Sequence, residues 1–168
     1  QLLEFGCEVE LLPWNTKLDT VDCDGWLLSN GPGNPENSGD LINQVSQQLK
    51  QKRPILGICL GHQILALASG AKTTKMQYGH RGHNQPVYLL GTRRGFITSQ
   101  NHGYVVETET LQNGWKPSFA NVNDQTNEGI YHESQLFKSV QFHPEAAGGP
   151  RDTAWIIKQF VDGLDKKV

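Results

Sequence analysis

Three observations predict an α/β fold: a doubly wound, mostly parallel sheet flanked by helices, with a short antiparallel β section in the second half. First, strand-like apolar runs alternate with helical periodicity through residues 25–69. Second, Pro54-Ile55-Leu56-Gly57-Ile58 is apolar almost throughout, as in a parallel strand covered on both faces. Third, residues 72–131 change character, with short β-like runs between polar turns rich in glycine and asparagine.

The elements follow in order. Glu8-Val9-Glu10-Leu11-Leu12 predicts a strand stopped by Pro13, and the residues before it look like the tail of a helix. A doubly wound domain normally opens on a strand. The expectation is therefore a single domain over residues 1–168 that lacks its first strand and the region upstream. Gly25-Trp26-Leu27-Leu28-Ser29 predicts the next strand, which runs into the turn cluster Asn30-Gly31-Pro32-Gly33-Asn34-Pro35. Residues 40–51 predict a helix, with Leu41, Ile42, Val45 and Leu49 at helical spacing. The apolar run 54–58 enters Cys59, and a helix over 61–69 follows at once, closed by Gly70. Val87-Tyr88-Leu89-Leu90 and Gly95-Phe96-Ile97-Thr98 are β-like. Ser139-Val140-Gln141-Phe142-His143 predicts a late strand ending at Pro144. Residues 152–164 predict a C-terminal helix with Trp155, Ile156, Phe160 and Val161 apolar. No repeat or linker interrupts the chain.

Composition narrows the function classes. The 168 residues carry 15 Lys plus Arg against 17 Asp plus Glu, a net charge of −2, without the basic surplus that nucleic-acid backbone binding requires. No apolar run is long enough to span a bilayer, and Gln1-Leu2-Leu3-Glu4-Phe5-Gly6 is no signal peptide. Neither nucleic acid nor membrane is therefore expected as a partner. The three cysteines contain no CxxC, so neither a disulfide framework nor a structural zinc site is expected. A reducing, cytoplasmic compartment fits that usage. Cys7 and Cys23 are expected to be buried and inert.

Cys59 is different. Gly57-Ile58-Cys59-Leu60-Gly61 brings a buried strand into a residue that must turn sharply into a helix, and glycines two positions to either side permit the crowding. That is the nucleophile-elbow pattern with cysteine for serine. The thiol is then presented at the carboxyl end of the sheet, above a helix N-terminus that favours thiolate, and the Leu60 N–H is free to face an oxyanion. A nucleophile needs a base. Of the six histidines, His62 follows Cys59 by three residues but points along the helix. His143 is the better candidate, because Phe142-His143-Pro144-Glu145 ends a strand and positions i and i+2 of an extended segment face one way. Glu145 can then hold the imidazole in one tautomer. Gly31-Pro32-Gly33 ends a strand at the same sheet edge. Its glycines allow close approach to a ligand, and Gly33 offers a second oxyanion N–H; a plain turn is the competing reading.

Taken together, Asn30–Pro35, Gly57-Ile58-Cys59-Leu60-Gly61-His62-Gln63 and His143-Pro144-Glu145 resemble the class I (triad) glutamine amidotransferases over essentially the whole chain. The segments 75–87 (Lys75-Met76-Gln77-Tyr78-Gly79-His80-Arg81-Gly82-His83-Asn84-Gln85-Pro86-Val87), 98–104 and 127–130 resemble the glutaminase part of carbamoyl-phosphate synthetases. The eukaryotic multifunctional pyrimidine-pathway protein is among the enzymes they look like. The resemblance implies hydrolysis of L-glutamine to glutamate and ammonia through a γ-glutamyl thioester. It implies Cys59 as nucleophile, His143 as base and then acid, Glu145 as its partner, and Gly33 and Leu60 as oxyanion donors. Gly31, Gln63, Asn101, Gly103 and Tyr104 are implied as glutamine-binding. No metal or cofactor is expected in this domain. The implied partner is a synthetase large subunit or fused synthetase domain that uses ATP, bicarbonate and magnesium. Ammonia-dependent relatives lose the nucleophile, whereas Cys59 is present here. The alternatives are a class I glutaminase of the anthranilate, aminodeoxychorismate or GMP synthetase type, and a non-catalytic module that keeps the fold.

Overall fold

A computed structural model of the chain describes residues 1–146 and 148–164. Ten elements organise it: β1 (Trp26–Leu28), α1 (Gly39–Gln48), β2 (Ile55–Ile58), α2 (Leu60–Ala68), β3 (Thr73–Leu89), β4 (Gly95–Val106), β5 (Trp115–Asn121), β6 (Asn127–His132), β7 (Phe137–Val140) and α3 (Trp155–Leu164). The strands form one seven-stranded sheet in the order β1-β2-β7-β6-β5-β3-β4. The chain is α/β, as predicted, and the sheet is mixed. β1, β2 and β7 pair in parallel, and the pairings β7-β6, β6-β5, β5-β3 and β3-β4 are antiparallel. The antiparallel section is thus larger than the sequence suggests, because the separate short runs between 72 and 106 join into two long strands. Gly79 and Gly82 take φ of +72° and +153° within β3, where the register with β4 shifts, so a glycine-punctuated polar stretch still continues the ladder.

Side-chain parity along β2 builds a core on each face. Ile55 packs with Trp26, Val45, Leu65 and Phe137 on the side of α1 and α2. Leu56 and Ile58 pack with Val140, Phe142, Ile156 and Ile157 on the side of α3. Residues one apart in a strand point to opposite faces, so a continuous apolar run is what a sheet covered on both sides needs. α1 turns Leu41, Ile42 and Val45 inward, and its buried Gln48 accepts from the Trp26 indole N–H at 3.1 Å. α2 is buried along most of its length and stops at Gly70, where φ is +93°.

The N-terminal expectation is corrected. Residues 8–12 form no strand, and Leu11 is 93% exposed. The Val9/Leu11 alternation meets no neighbouring ladder, and alternation alone provides no hydrogen-bond partners. The opening residues hold a single 3-10 turn, Leu3–Phe5, rather than a helix tail. Two further boundaries move. β7 ends at Val140, three residues before His143, and α3 begins at Trp155 after a turn over 152–154. Cys7 and Cys23 are only partly buried.

Candidate active site

The parallel register decides where the chemistry collects. Leu28 pairs with Gly57 and Ile58 with Val140, so β1, β2 and β7 end at one sheet edge. Past those ends come the 30–33 loop, Cys59 and His143. The long β3-β4 hairpin, with Arg81 opposite Asn101, closes the fourth side. A cavity of about 380 Å³ lies between them, lined by Asn30, Gly31, Pro32, Gly33, Cys59, Gln63, Arg81, Asn101, His102 and His143.

Cys59 has φ +54° and ψ −104°, a conformation costly for a residue with a Cβ. Packing imposes it. A Cβ at Gly57 would lie 2.5 Å from the Gly61 carbonyl oxygen, so helix and strand touch backbone to backbone there. The Cys59 N–H donates to Val140 O at 2.9 Å, tying the elbow to the strand that leads to His143. Its residue surface is only 5% exposed, yet the side chain lines the cavity, with Sγ 4.0 Å from Asn101 O.

The His143 ring meets the Glu145 carboxylate at 2.8 Å through Nδ1. The pairing predicted for i and i+2 is present, but it forms in a turn rather than an extended segment, with Ala146 N–H donating to His143 O at 3.3 Å. His143 N–H donates to Ser99 O, which docks the turn on β4. The neighbouring Cys59 side chain, and next the Glu145 carboxylate, raise the imidazole pKa to about 10.

His62 is no rival base. It is fully buried on α2, contacts Ser139 Oγ at 2.8 Å, and burial pushes its pKa down to about 3.

Gly33 takes φ +100°, and a Cβ on it would meet nothing within 4 Å. Gly31 packs on Leu60, whose Cδ2 lies 2.7 Å from where a Gly31 Cβ would stand. Leu60 opens α2, so its N–H belongs to the first turn, where no intrahelical acceptor exists. Gln63 lines the cavity, and its amide nitrogen is engaged with Tyr104 O at 2.9 Å and Gln141 Oε1 at 3.0 Å. Tyr104 also offers its carbonyl to His102 Nδ1 at 2.9 Å, and Gly103 lies beneath the Arg81 guanidinium. The cavity lining includes Asn101 and His102 and, among the described residues, neither Gly103 nor Tyr104. Asn30, Pro32, Arg81 and His102 line the cavity without having been singled out from the sequence; the fixed positive charge at Arg81 was the available signal.

Segments 75–87, 98–104 and 127–130 converge on one buried cluster. His80 contacts Gln100 Oε1 at 3.0 Å and Asp124 Oδ2 at 2.8 Å, and its Nδ1 lies 3.4 Å from Glu128 Oε1. His102 Nε2 contacts the same Gln100 oxygen at 2.9 Å. Hydrogen bonds to Glu128 and Asp124, against the cost of burial, raise the His80 pKa to about 9. Burial lowers that of His102. His80, His102 and Glu128 bring ligand-type atoms within 4.8 Å of one another, and among the described residues they are the one such group that could hold a metal ion. The two imidazoles are already hydrogen-bonded to their neighbours.

The family model described as "Glutamine amidotransferase class-I" matches residues 1–162. Multifunctional protein URA2 of Saccharomyces cerevisiae is 48% identical over 163 residues, 96% of this chain and 7% of that protein. The carbamoyl phosphate synthase arginine-specific small chain of Debaryomyces hansenii is 46% identical over 169 residues, 98% of this chain and 39% of that protein. Carbamoyl-phosphate synthase [ammonia], mitochondrial, of Rattus norvegicus is 49% identical over 167 residues, 98% of this chain and 11% of that protein. The chain therefore spans less than half the length of these relatives. Among solved structures, a putative GMP synthase component from Thermoplasma acidophilum superposes with a TM-score of 0.82 at 26% identity, covering 97% of this chain and 83% of that one. No helix among the described residues is long and apolar enough to cross a membrane. The chain belongs to the class-I glutamine amidotransferase family.

Proposed function

We propose that this chain is a glutaminase domain that hydrolyses L-glutamine to glutamate and ammonia and delivers the ammonia to carbamoyl-phosphate synthesis. The observation that carries the reading is the relay at the sheet edge. The Cys59 thiol sits on a strained elbow and lines one cavity with an imidazole whose Nδ1 is held by Glu145 at 2.8 Å.

The steps follow from the groups present. The His143 ring is basic enough to take the Cys59 proton, and Glu145 fixes its tautomer and balances the imidazolium charge. The thiolate attacks the carboxamide carbon. The tetrahedral oxyanion is received by the Gly33 and Leu60 N–H groups; removing such a donor costs about 2.7–4 kcal/mol in comparable chemistry. The imidazolium proton goes to the departing nitrogen, the C–N bond breaks, and ammonia leaves behind a γ-glutamyl thioester. His143 then draws a proton from water, which attacks the thioester and restores the thiol. Gly31, Gln63, Asn101, Gly103 and Tyr104 are the proposed glutamine-binding set.

Similarity to an arginine-specific small chain and to a multifunctional protein supports a synthetase partner, separate or fused. ATP, bicarbonate and magnesium belong to that partner in this reading. Thiol-based acyl transfer calls for no cofactor in this domain, and a cytoplasmic location is part of the proposal. The mitochondrial relative named for ammonia makes an inactive site the competing reading, and the Cys59 elbow favours a live one. In the full-length protein, Cys59→Ser is expected to abolish glutamine-dependent synthesis and retain synthesis from free ammonia. Unchanged glutamine hydrolysis in that variant would remove Cys59 from the nucleophile role.

A further inference from the structure

Strands β3, β4 and β6 bring together four polar side chains that the Cys59–His143 relay does not use: His80, Gln100, His102 and Glu128. All four are buried, Glu128 completely. The Gln100 amide has a fixed orientation. The Thr98 hydroxyl donates its single hydrogen to Gln85 O at 2.8 Å, so toward Gln100 it can only accept, and the Gln100 amide nitrogen donates to it at 3.1 Å. The Gln100 oxygen is thereby turned to the histidines, 3.0 Å from His80 Nδ1 and 2.9 Å from His102 Nε2. On their far sides, His80 Nε2 meets Asp124 Oδ2 at 2.8 Å and His102 Nδ1 meets the Tyr104 carbonyl at 2.9 Å. Four ring nitrogens therefore face oxygen acceptors. Meeting all four with N–H groups requires two imidazolium rings with centroids 5.0 Å apart.

A cation between the inner nitrogens satisfies the same oxygens with both rings neutral. Each ring then donates its outer N–H, His80 to the Asp124 carboxylate and His102 to the Tyr104 carbonyl. That is the outer-shell arrangement which orients histidines that ligate a metal. Glu128 adds an independent sign. Its Oε1 accepts from the Asn121 amide at 2.9 Å and lies 3.4 Å from His80 Nδ1, while its Oε2 is buried without a hydrogen-bond partner. A buried carboxylate oxygen left unmatched is costly, and a cation is what matches it. The separations fit as well. Donors on a tetrahedral zinc ion, with bonds of about 2.0–2.1 Å, lie about 3.3 Å apart. The contacts of 2.9, 3.0 and 3.4 Å bracket that value, and the ligand-type atoms of His80, His102 and Glu128 all lie within 4.8 Å of one another.

We infer that His80, His102 and Glu128 form a divalent metal site, with Gln100 Oε1 as the fourth donor and Zn²⁺ as the ion that two imidazoles and a carboxylate suit best. The spacing in the chain does not suggest it, because the three ligands come from three separate strands. The site is structural. It ties β3, β4 and β6 together, and its ligands Gln100 and His102 flank Asn101, whose carbonyl faces Cys59 Sγ at 4.0 Å. The inference does not depend on the glutaminase reading.

Co²⁺ is the probe, because its spectrum reports its ligands. The full-length protein carries Cys59→Ser throughout, so that the reactive thiol cannot bind the ion, and is compared after chelation and reloading with the same protein carrying Glu128→Gln or Asp124→Asn. Ions held elsewhere cancel in the difference. The protein with the cluster intact should hold about one more equivalent of Co²⁺ than Glu128→Gln. The difference spectrum should show the visible bands of a four-coordinate nitrogen and oxygen site without a thiolate charge-transfer band. Asp124→Asn, at a partly exposed position outside the ligand set, should weaken binding about 10–100-fold, which keeps the test decisive if Glu128→Gln fails to fold. His132→Gln, outside the cluster, should change nothing. Zn²⁺ should displace the Co²⁺ and raise the melting temperature of the intact cluster more than that of either variant. No bound Co²⁺, bands that survive both substitutions, or a thiolate band in the difference would overturn the site.

Discussion

A Cβ on Gly61 would sit 2.0 Å from the carbonyl oxygen of Leu28. The start of α2 is thus pressed onto the backbone of β1, at the point where β1 hands over to the 30–33 loop. Gly57 is confined in the same way against Gly61 itself, at 2.5 Å. The two glycines let strand and helix approach closely enough to hold Cys59 in its strained conformation.

Gly61→Ala is accordingly expected to destabilise the fold by about 1–3 kcal/mol or more, since the obstacle is backbone and cannot rotate away. Equilibrium denaturation checks this. Gly33→Ala meets no atom within 4 Å and is strained only through its φ of +100°, so it should cost less. A reversed order would refute the packing account of the elbow.

The His143 titration has an assigned cause. The Cys59 side chain contributes most to its upward shift and Glu145 comes next. Proton NMR should find the ring protonated well above pH 6.5 in the unmodified protein. Cys59→Ala should shift the titration downward, and adding Glu145→Gln should shift it further. A ring that titrates near 6.5 with both partners in place would show that the hydrogen bonds are not made in solution.

Proton transfer and orientation are separable in kinetics. His143→Asn should lower kcat/KM for glutamine by about 10²–10⁴-fold or more. Glu145→Gln should cost less, because it removes the orienting partner and leaves the base. A larger loss at Glu145 than at His143 would reject the assignment of roles.

His62 predicts an acid sensitivity. Its folded pKa, about 3, lies below the ordinary 6.5, so the unfolded chain binds a proton that the native chain refuses. The contribution is present above pH 6.5 and is lost as pH falls toward 3, at up to about 1.4 kcal/mol per pH unit for one group. His62→Gln should flatten this part of the stability profile. An unaltered slope would mean that His62 takes up a proton in place.

The elbow was legible because its requirement is local. Two glycines flanking a cysteine between an apolar run and a helical run admit few other geometries. The His143–Glu145 pairing was legible as a spacing, although a turn and not an extended segment delivers it. What could not be read was anything set by distant backbone. Glu8–Leu12 has the composition of a strand and finds no ladder. β3 runs through Gly79, Gly82 and the charged Lys75 and Arg81 because β4 pairs with it across 10 residue pairs from Thr73↔Val106 to Tyr88↔Gly95. Arg81 and His102 enter the cavity through that hairpin register, which no short window encodes. Segments 75–87, 98–104 and 127–130 were informative as a set, and their common destination at His80, Gln100 and Glu128 appears only once the strands are paired.

The parallel register of β1, β2 and β7 has a mechanical consequence. Cys59 and His143 are not held together chiefly by their own contact; each is the continuation of a strand, and the 2.9 Å bond from Cys59 N–H to Val140 O locks the two strands just before they diverge. The hairpin is tied to the same pair, through the His143 N–H bond to Ser99 O and the Cys59 Sγ contact with Asn101 O on β4, so a load on it from an arriving substrate or a docked neighbour reaches base and nucleophile together.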